Sequence, residues 1–506
     1  MLKDLNTGGL SKKKFTARLL LFCMLLASCG KSGGEGSDTT ANTTASTPET
    51  TVDLYPDDMP DDLTFNGETV TFLYREEILD EFYVDTQNGE IVNDALYDSL
   101  RSVEERLNIK IETIARPGHL TNVRDEYLNH ITSTVLADDA PYDWVDLMIG
   151  NAPVKMREGI FRDLTKLEYL DFTKPWYLKE LTDTVSVDGK LFFASGDVSI
   201  GYLKNSFCFY FNKKLAEDYS LGSLYDLVDE GKWTLDTVRK LAEQGSKDVN
   251  GDGLWDLEDS LGFVIHDYTH KYGFMGSTQI SCFEQNENGD WEYVLGSQRD
   301  SDICEKLFNL INKSEGVHFY NGTNAIPEQI EGYNKVTDSF VGGDILLMTA
   351  QMDDAVSQLR TMKDPYGVLP YPKLDEAQEE YQSSSRSTHN AFSMPVTCAK
   401  PDIAAAVYEA LGASNYQKLL PAYFEVAMKA KYSNDDESAR MFDIIHDSFK
   451  LDFGYMFNNV LGNPTNPYWK ATEVEGAFAS TLASMKQSVN ASLEGFIEDV
   501  KNNCQS

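Results

Sequence analysis

The sequence lacks the short motifs that mark the common nucleotide-, nucleophile- and metal-dependent enzymes. It has no G-x-S-x-G nucleophile elbow and no phosphate-binding loop. Gly251-Asp252-Gly253 lacks the third glycine of a dinucleotide fingerprint. Only His266 and His270 have the spacing of a helical metal pair, and no H-E-x-x-H motif surrounds them. Carboxylates are so numerous that no catalytic pair stands out. We therefore expect no catalytic residue and no enzymatic activity.

Positive charge is also scarce. The chain has 44 lysines and arginines against 81 aspartates and glutamates, a formal net charge of -37. This balance argues against nucleic-acid binding and against direct docking on anionic lipid. Beyond Leu26, no apolar run is long enough to cross a bilayer. With 42% hydrophobic and 11% aromatic residues, the chain has the composition of a globular protein, which we expect to be a monomer.

Cysteine is rare and is not clustered. Cys23 and Cys29 lie near the N-terminus, and the other five show no CxxC or zinc-type spacing. Two interpretations stay open: scattered free thiols, or one long-range disulfide such as Cys282–Cys304. The five are Cys208, Cys282, Cys304, Cys398 and Cys504.

The N-terminus has the pattern of a secretory signal peptide. Four basic residues between Lys12 and Arg18 precede the short apolar run Leu19–Leu26. Leu26-Ala27-Ser28-Cys29 resembles the lipobox of bacterial lipoproteins, in which the cysteine thiol receives a diacylglyceryl group and the chain is cut before it. We therefore expect a signal peptide over 1–28 and a lipid anchor on Cys29, at the extracellular face of the cytoplasmic membrane. The alternative is a chance cysteine in a simple signal peptide.

Residues 29–51 predict a flexible linker. From Gly30 to Thr51 the chain is rich in Gly, Ser and Thr and has no aromatic residue, so it cannot bury enough surface to offset the entropy of ordering. More than 400 residues follow. Because a single core rarely grows past about 250–300 residues, we expect two lobes.

The first part of the body predicts an α/β sheet. Strands are expected at Glu68–Tyr74, Ile109–Ile114 and Trp144–Ile149, with helices between them at residues 91–107 and about 121–137. This order is typical of a sheet covered on both faces. In such sheets ligands bind beyond the carboxyl ends of strands. Gly150-Asn151 is therefore a candidate ligand loop, and an ordinary strand-to-helix turn is the alternative.

Several motifs in order resemble a known family. They are G-K-L-F-F-A-S-G-D from Gly189, F-Y-F-N-K-K-L-A-E-D-Y from Phe209, G-K-W-T-L-D from Gly231, F-V-G-G-D-I-L-L-M from Phe340 and Y-G-V-L-P-Y-P from Tyr366. The series resembles bacterial extracellular solute-binding proteins, family 1, of ABC transporters, over nearly all of the chain from about Val70. The resemblance implies a type II periplasmic-binding-protein-like fold, with two α/β lobes, a hinge and a ligand cleft between the lobes. By the same analogy, residues 52–196 and 341–395 form lobe 1, and residues 197–340 and 396–506 form lobe 2.

One loop fits the twelve-residue pattern of a calcium site. Calcium takes six to eight oxygen ligands, and Gly253 at the sixth position permits the sharp turn. A dockerin module would carry two such loops, and no second copy occurs, so we expect a single structural Ca²⁺ site. The alternative is an Asp/Asn/Gly turn with no ion. The expected ligands are Asp248, Asn250, Asp252, Leu254 through its carbonyl, Asp256 and Asp259.

If the ligand is a sugar, its ring should stack on aromatic faces and its hydroxyls should bond polar side chains. For each aromatic residue, a place in the core is the alternative. The aromatic candidates, chosen near strand ends and hinges, are Trp176, Tyr177, Tyr468 and Trp469. The polar candidates are Asn151, Asp197, Asn205, Gln351 and Asp353.

These patterns lead to three hypotheses. The first is a lipid-anchored receptor that binds a carbohydrate or another small solute and delivers it to the permease subunits of an ABC importer. The second is an extracellular enzyme acting on polysaccharide. The third is an orphan binding protein that serves a sensor or adheres to a glycan. The family resemblance and the missing catalytic motifs favour the first.

Overall fold

The computed structural model describes residues 57–429 and 436–503, which belong to one compact unit. The predicted signal peptide (1–28), the lipidation site Cys29 and the linker (29–51) lie outside these residues, as does Cys504. Within the described part, no helix combines the length and the apolar character that a membrane-crossing segment needs.

The strands and helices alternate along most of the chain. The strands are β1 (Glu68–Arg75), β2 (Ile109–Arg116), β3 (Trp144–Met148), β4 (Phe207–Asn212), β5 (Leu261–Ile265), β6 (Phe283–Gln285), β7 (Trp291–Tyr293), β8 (Val317–Phe319), β9 (Ile345–Gln351), β10 (Tyr366–Leu369) and β11 (Asn390–Ser393). The α-helices are α1 (Ile91–Leu107), α2 (Thr121–Leu136), α3 (Ala152–Met156), α4 (Lys179–Val185), α5 (Gly201–Lys204), α6 (Lys213–Asp218), α7 (Leu224–Asp229), α8 (Leu235–Gln244), α9 (Lys271–Ser277), α10 (Gln298–Lys313), α11 (Ile330–Gly342), α12 (Asp354–Ser357), α13 (Pro401–Gln417), α14 (Leu419–Lys429), α15 (Asp436–Asp447), α16 (Phe453–Met456), α17 (Asn466–Ala471) and α18 (Ala477–Asn503). Short 3-10 turns cover Glu76–Glu81, Leu164–Lys166, Tyr268–His270, Pro327–Gln329 and Leu359–Thr361.

The first sheet has the strand order β11-β3-β1-β2. β1 runs parallel to β2 and β3, while β11 is antiparallel to β3. The parallel pairs arise because α1 and α2 return the chain to the same end of the sheet before each new strand. β3 is buried along its whole length, as expected of a central strand with both faces covered. The predicted strand–helix–strand–helix–strand order is confirmed.

The second sheet has the order β10-β4-β9-β5-β8. β4 is antiparallel to β9 and β10, whereas β5 is parallel to β9 and β8. Its core is aromatic: the ring of Phe209 stacks on that of Phe263 at 5.3 Å between centroids. Trp233 meets Phe209 edge-on and donates from Nε1 to the Pro370 carbonyl at 2.8 Å. Trp233 is therefore a structural residue.

The strand pairing corrects the expected lobe boundaries at two places. Within 341–395, expected in lobe 1, β9 and β10 pair with β4 and belong to the second sheet, and only β11 joins the first. Within 396–506, expected in lobe 2, α13 packs on the first sheet. Trp144 Nε1 donates to the Ala404 carbonyl at 2.9 Å, and the Tyr408 ring stacks on Trp144 at 4.4 Å. Such pairings join distant parts of the chain, so the hydrophobic pattern does not specify them.

Two crossing segments lie side by side between the sheets. One runs from about 197 to 206, and the other from about 385 to 389. Ser206 and Ser385 form an antiparallel bridge, and the Arg386 amide donates to the Asn205 carbonyl at 3.1 Å. The Thr388 hydroxyl donates to Asn205 Oδ1 at 3.0 Å. We refer to this pair of segments as the hinge.

The described cysteines are free thiols. Cys208, Cys282, Cys304 and Cys398 are all buried, and Cys282 and Cys304 are not joined. Burial raises the pKa of Cys304 and of Cys398 to about 12, so both thiols stay protonated near neutral pH. The interpretation of scattered free thiols holds for these four residues.

Candidate functional site

A cavity of about 320 Å³ lies between elements of the two sheets, beside the hinge. The first sheet contributes the start of α2 and the loop after β3. The second contributes the turn after β5, the 325–326 loop and the residues around α16. This is the carboxyl end of β3 and of β5, where α/β sheets place ligands. The lining residues are Thr121, Arg124, Met148, Gly150, Asn151, Tyr268, Thr269, Tyr272, Ala325, Ile326, Arg386, Ser387, Thr388, Tyr455, Asn458 and Asn459.

Hydrogen bonds join the two sides of this cavity at its rims. Thr121 Oγ1 donates to the Ala325 carbonyl at 3.0 Å, and Asn459 Nδ2 donates to the Gly150 carbonyl at 3.0 Å. The Ser387 amide, in the hinge, donates to the Tyr455 hydroxyl at 3.0 Å. The two sides of the cavity are therefore in contact in this structure.

One wall of the cavity is aromatic. The rings of Tyr272 and Tyr455 pack at 4.2 Å between centroids, and Trp469 lies behind Tyr272 at 5.2 Å. Tyr268 meets Trp469 edge-on at 5.7 Å. Lys271 Nζ sits 3.6 Å from the centroid of the Trp469 ring. Trp469 thus supports the wall, while Tyr268, Tyr272 and Tyr455 line the cavity.

Lys271 is a buried cation at the back of this wall. Its Nζ lies 3.4 Å from Glu473. Burial lowers the pKa of Lys271 to about 8, although Glu473 acts in the opposite direction. The Tyr468 hydroxyl donates to the Lys271 carbonyl at 2.5 Å, so Tyr468 holds the start of α9 and is itself fully buried.

Two arginines face the cavity with different partners. Arg386 is 5% exposed; it donates from Nη1 to Asn324 Oδ1 at 2.9 Å, and Nη2 lies 3.6 Å from Asp267. Burial alone would raise the pKa of Asp267, but Arg386 lowers it to about 2, so this pair is fully ionised. Arg124 donates from Nη2 to the His119 carbonyl at 2.9 Å and forms no ion pair with any described residue.

A second buried ion pair lies behind them. Arg75 binds Asp146 through two bonds, from Nε at 2.7 Å and from Nη2 at 3.1 Å. Asn390 Nδ2 also donates to Asp146, at 3.0 Å. His119 contacts Arg75, and burial together with the nearby arginines lowers the pKa of His119 to about 3. His119 is therefore neutral at physiological pH.

A smaller cavity of about 220 Å³ shares Tyr272 and Tyr455 with the first. Ser384 lines it, is 5% exposed, and has a hydroxyl for which the described residues offer no hydrogen-bond partner. Asp452 lies at its edge and accepts from the amides of Cys282 at 2.9 Å and Tyr455 at 2.8 Å. The two cavities are thus neighbours across a single pair of tyrosines.

The predicted site residues fall into different places. Asn151 lines the larger cavity, and its side chain caps no helix. Asn205 lies in the hinge. It does not line the cavity, but its side chain accepts a hydrogen bond from Thr388, which does. Trp469 stands behind the aromatic wall, as described above. These three lie in or beside the same region.

Trp176 and Tyr177 lie in the core beside the first sheet and line neither cavity. Trp176 is 2% exposed, and a methyl group at Gly412 of α13 would meet its ring at 2.6 Å. Tyr177 donates from its hydroxyl to Glu409 at 2.5 Å. Neither ring has a free face for a ligand, so the core alternative describes both.

Three polar candidates bind groups of the protein itself. Asp197 accepts from the Tyr202 hydroxyl at 2.7 Å, and burial raises its pKa to about 7. Gln351 ends β9 and is buried, and its backbone N–H donates to the Asp354 carboxylate at 2.9 Å. Asp353 lies 3.7 Å from Lys204 of the hinge. None of the three lines either cavity.

Sequence reasoning missed most of the lining. Arg124, Tyr268, Tyr272, Arg386 and Tyr455 come from four separate loops and helix ends. The one available signal was the polar run Ser383–Asn390, which interrupts the apolar pattern between the two lobes and contains Arg386. The other lining residues have no distinguishing local sequence pattern, because the residues around a core tyrosine are of the same kinds as those around a cavity tyrosine.

The predicted calcium loop forms a compact turn held by its own carboxylates. Asp248 accepts from the amides of Gly251 at 2.6 Å and Gly253 at 3.0 Å, and Asp252 accepts from Leu254 at 2.8 Å. Asp259 is 3% exposed and accepts from Val249 at 2.9 Å. Across residues 57–429 and 436–503, no group of three or more His, Cys, Asp or Glu side chains is arranged to hold a metal. Calcium binding stays a prediction.

The histidine pair of the sequence is a packing feature. The rings of His266 and His270 are 6.0 Å apart, and both contact Thr349. His266 also stacks on Tyr333 at 3.9 Å. Burial lowers the pKa of His266 to about 4 and that of His270 to about 3, so both are neutral.

Comparison with known proteins identifies the fold. No protein-family model and no curated protein matches the sequence. Among solved structures, the galacto-N-biose/lacto-N-biose I-binding protein of an ABC transporter from Bifidobacterium longum, in complex with lacto-N-biose, matches with a TM-score of 0.56 and 12% identity, over 85% of this chain and 98% of that one. The GacH receptor of Streptomyces glaucescens, solved with acarbose, matches at 0.51 and 11%, over 86% and 99%. The maltose-binding protein of Listeria monocytogenes, in complex with maltose, matches at 0.50 and 14%, over 86% and 99%.

The chain has the two-lobed, type II periplasmic-binding-protein-like fold of ABC-transporter sugar-binding proteins. The fold that the order of sequence motifs implied is confirmed. At identities of 11–14%, the likeness establishes the fold alone.

Proposed function

We propose that this protein is a solute-binding receptor, without enzymatic activity, that holds a saccharide in the cavity between its two lobes. The observation that carries the proposal is that cavity itself. It combines an aromatic wall, Tyr272 and Tyr455, with amide side chains at Asn151 and Asn459. Apolar ring faces and a few fixed polar groups are what the two sides of a sugar ring require.

The position of the cavity supports a binding role. It lies beside the hinge and is lined from both lobes, so a ligand there would contact both and favour the closed arrangement. The rim contacts Thr121–Ala325 and Asn459–Gly150 would break if the lobes opened. The structures with this fold named above were solved with lacto-N-biose, acarbose and maltose. These are saccharides of more than one ring.

Transport and anchoring complete the proposal. A receptor that changes shape on binding can present its ligand to the permease subunits of an ABC importer. Cys29 would carry the lipid and residues 29–51 would tether the receptor to the membrane, which raises its local concentration near the permease. Calcium in the Asp248–Asp259 loop would stabilise that turn. It would take no part in ligand binding, since no residue of that loop lines the cavity.

Binding can be tested with the purified body of the protein from Val52 onward. A panel of mono- and oligosaccharides, neutral and acidic, is screened by thermal shift and then by calorimetry. A ligand at a hundredfold excess over its Kd stabilises the native state by about 2.7 kcal/mol, which is an increase of several degrees in Tm. Asn151→Ala should weaken binding about two- to tenfold, the value of one hydrogen bond. Asn288→Ala, at an exposed turn, is the matched control and should bind as the wild type does.

Two outcomes would refute the proposal. If no saccharide raises the Tm while peptides or polyamines do, the ligand class is wrong. If chromatography of the incubated saccharides shows cleavage products, the protein is an enzyme.

A further inference from the structure

The charge of the cavity is opposite to the charge of the chain. The sequence has 81 acidic residues and 44 basic ones, yet the lining of the larger cavity contains Arg124 and Arg386 and, among the described residues, no aspartate or glutamate. A neutral saccharide needs no such separation, because its hydroxyls accept and donate to either sign of charge. Among the described residues, the lining therefore contains cationic side chains and no carboxylate, inside a strongly negative protein.

Unlike Arg386, which has Asp267, and Arg75, which has Asp146, Arg124 has no ion-pair partner among the described residues. Its Nε is buried and has no hydrogen-bond partner in the described part of the chain. Burial lowers the pKa of Arg124, and the nearby Arg75 acts in the same direction, while Tyr268 and Asp125 oppose them. An anion bound beside the guanidinium would favour its charged form.

The backbone adds to the positive charge of the lining. Arg124 stands in the first turn of α2, and that turn contains no acidic residue. Its N-cap, Leu120, supplies no side-chain acceptor to the first amides of the helix. The amino end of a sixteen-residue helix carries a partial positive charge, and here it faces the cavity through Thr121 and Arg124.

The nearest carboxylates are directed elsewhere. Glu77 accepts from the backbone amides of Gly118 at 3.0 Å and His119 at 3.1 Å, in the loop that precedes α2, and it does not line the cavity. Asp125 is exposed and next to Arg124 in sequence, and it does not line the cavity. Asp267 lies behind Arg386 and is 0% exposed at its side chain. None of them lies within the cavity lining to neutralise Arg124.

We infer that the saccharide bound in this cavity is acidic, with a carboxylate or sulfate group that Arg124 and Arg386 hold. The inference rests on the proposed function and specifies its ligand class. A guanidinium presents parallel N–H donors that match two oxygens of a carboxylate or sulfate, and the free Nε–H of Arg124 gives it a donor for that purpose. The aromatic wall would take the ring faces of the same ligand.

The test uses matched pairs of saccharides. Oligogalacturonides and glucuronate-containing disaccharides are compared with the same molecules after carboxyl reduction, and sulfated disaccharides with their desulfated forms. Calorimetry is run at low salt and at 150 mM salt. We expect at least one acidic member to bind about tenfold or more tightly than its neutral partner, and its affinity to fall as salt is raised. The uronide and sulfate arms distinguish the two anions.

Variants assign the effect to the cavity. Arg124→Gln should lower the affinity for the acidic member about tenfold more than it lowers the affinity for its neutral partner. Arg239→Gln removes an exposed arginine of α8, far from the lining, and should change neither. The salt dependence of the wild type gives the same information if the Arg124 variant unfolds.

Each result decides between the two proposals. If neutral saccharides bind as tightly as acidic ones, or if Arg124→Gln binds the acidic member as the wild type does, the acidic-ligand inference is overturned while the saccharide receptor stands. If no saccharide of either kind binds, both are overturned.

Discussion

The buried carboxyl of Glu409, in the first lobe, allows a test of how burial controls its protonation state. Its side chain is fully buried on α13, and it accepts from the Tyr177 hydroxyl at 2.5 Å. Oε1 has no hydrogen-bond partner among the described residues. Burial raises the pKa of this carboxyl to about 8, against 4.5 for a free glutamate, although the bond from Tyr177 acts in the opposite direction. Glu409 is therefore mostly protonated in the folded protein at pH 7.

The sign of the pH effect follows from proton uptake. Between pH 4.5 and pH 8, the unfolded chain releases the Glu409 proton while the folded chain keeps it, so stability falls as pH rises through this window. pH 7 is about 2.5 units above the pKa of this carboxyl in the unfolded chain. The loss of folding stability at pH 7, relative to low pH, is therefore about 3 kcal/mol. Most of this difference, about 2–3 kcal/mol, develops between pH 5 and pH 7.

Glu409→Gln removes the titration and keeps the shape. We expect the free energy of unfolding of the variant, relative to the wild type, to increase by about 2–3 kcal/mol from pH 5 to pH 7. Urea unfolding at the two pH values, followed by tryptophan fluorescence, measures this difference. Glu305→Gln, an exposed position of α10, is the matched control and should show no such change. If the wild type and Glu409→Gln lose stability in parallel as pH rises, the assignment of a neutral buried carboxyl is wrong.

Three further predictions follow. Asp146→Asn leaves the Arg75 guanidinium buried without its partner and should destabilise the protein by about 3–5 kcal/mol in urea unfolding; a loss under 1 kcal/mol would contradict the pairing. A chelator should lower the Tm and excess Ca²⁺ should restore it, while Asp248→Ala should make the Tm insensitive to both; an unchanged Tm in the chelator would count against the calcium site. Cys29→Ser should move the full-length protein from the membrane fraction to the soluble fraction of the producing cells, and retention in the membrane would refute the lipid anchor.

Local patterns predicted the elements of the fold well. The alternation of β1, the apolar run of β3 and the 3.6-residue spacing of α1 each placed an element correctly, because these periods reflect burial of one face or both. Asp188 and Gly189 form a tight turn between the bridged residues Val187 and Lys190, and both have positive φ, 53° and 72°.

The candidate site was predicted much less completely. Asn151 follows a buried strand, so its place at a sheet edge could be inferred from sequence. Trp176 and Trp469 are both tryptophans in or near a short helix, yet one lies in a core and the other beside the cavity. What separates them is the packing of α13 against Trp176, a contact across more than two hundred residues.

The amino-acid sequence predicts the α/β class, an organisation in two lobes and a surplus of negative charge. The charge follows from composition, the expectation of two lobes from length, and the α/β class from the periodic burial of each segment. The type II fold was implied by the family resemblance of the ordered motifs. Only the tertiary structure decided which lobe β9, β10 and α13 join, and which side chains meet at the cavity. It also decided that two of the few arginines face that cavity without a carboxylate in its lining. The net charge of a chain is a sum over residues, whereas the potential of a site depends on which residues the fold brings together.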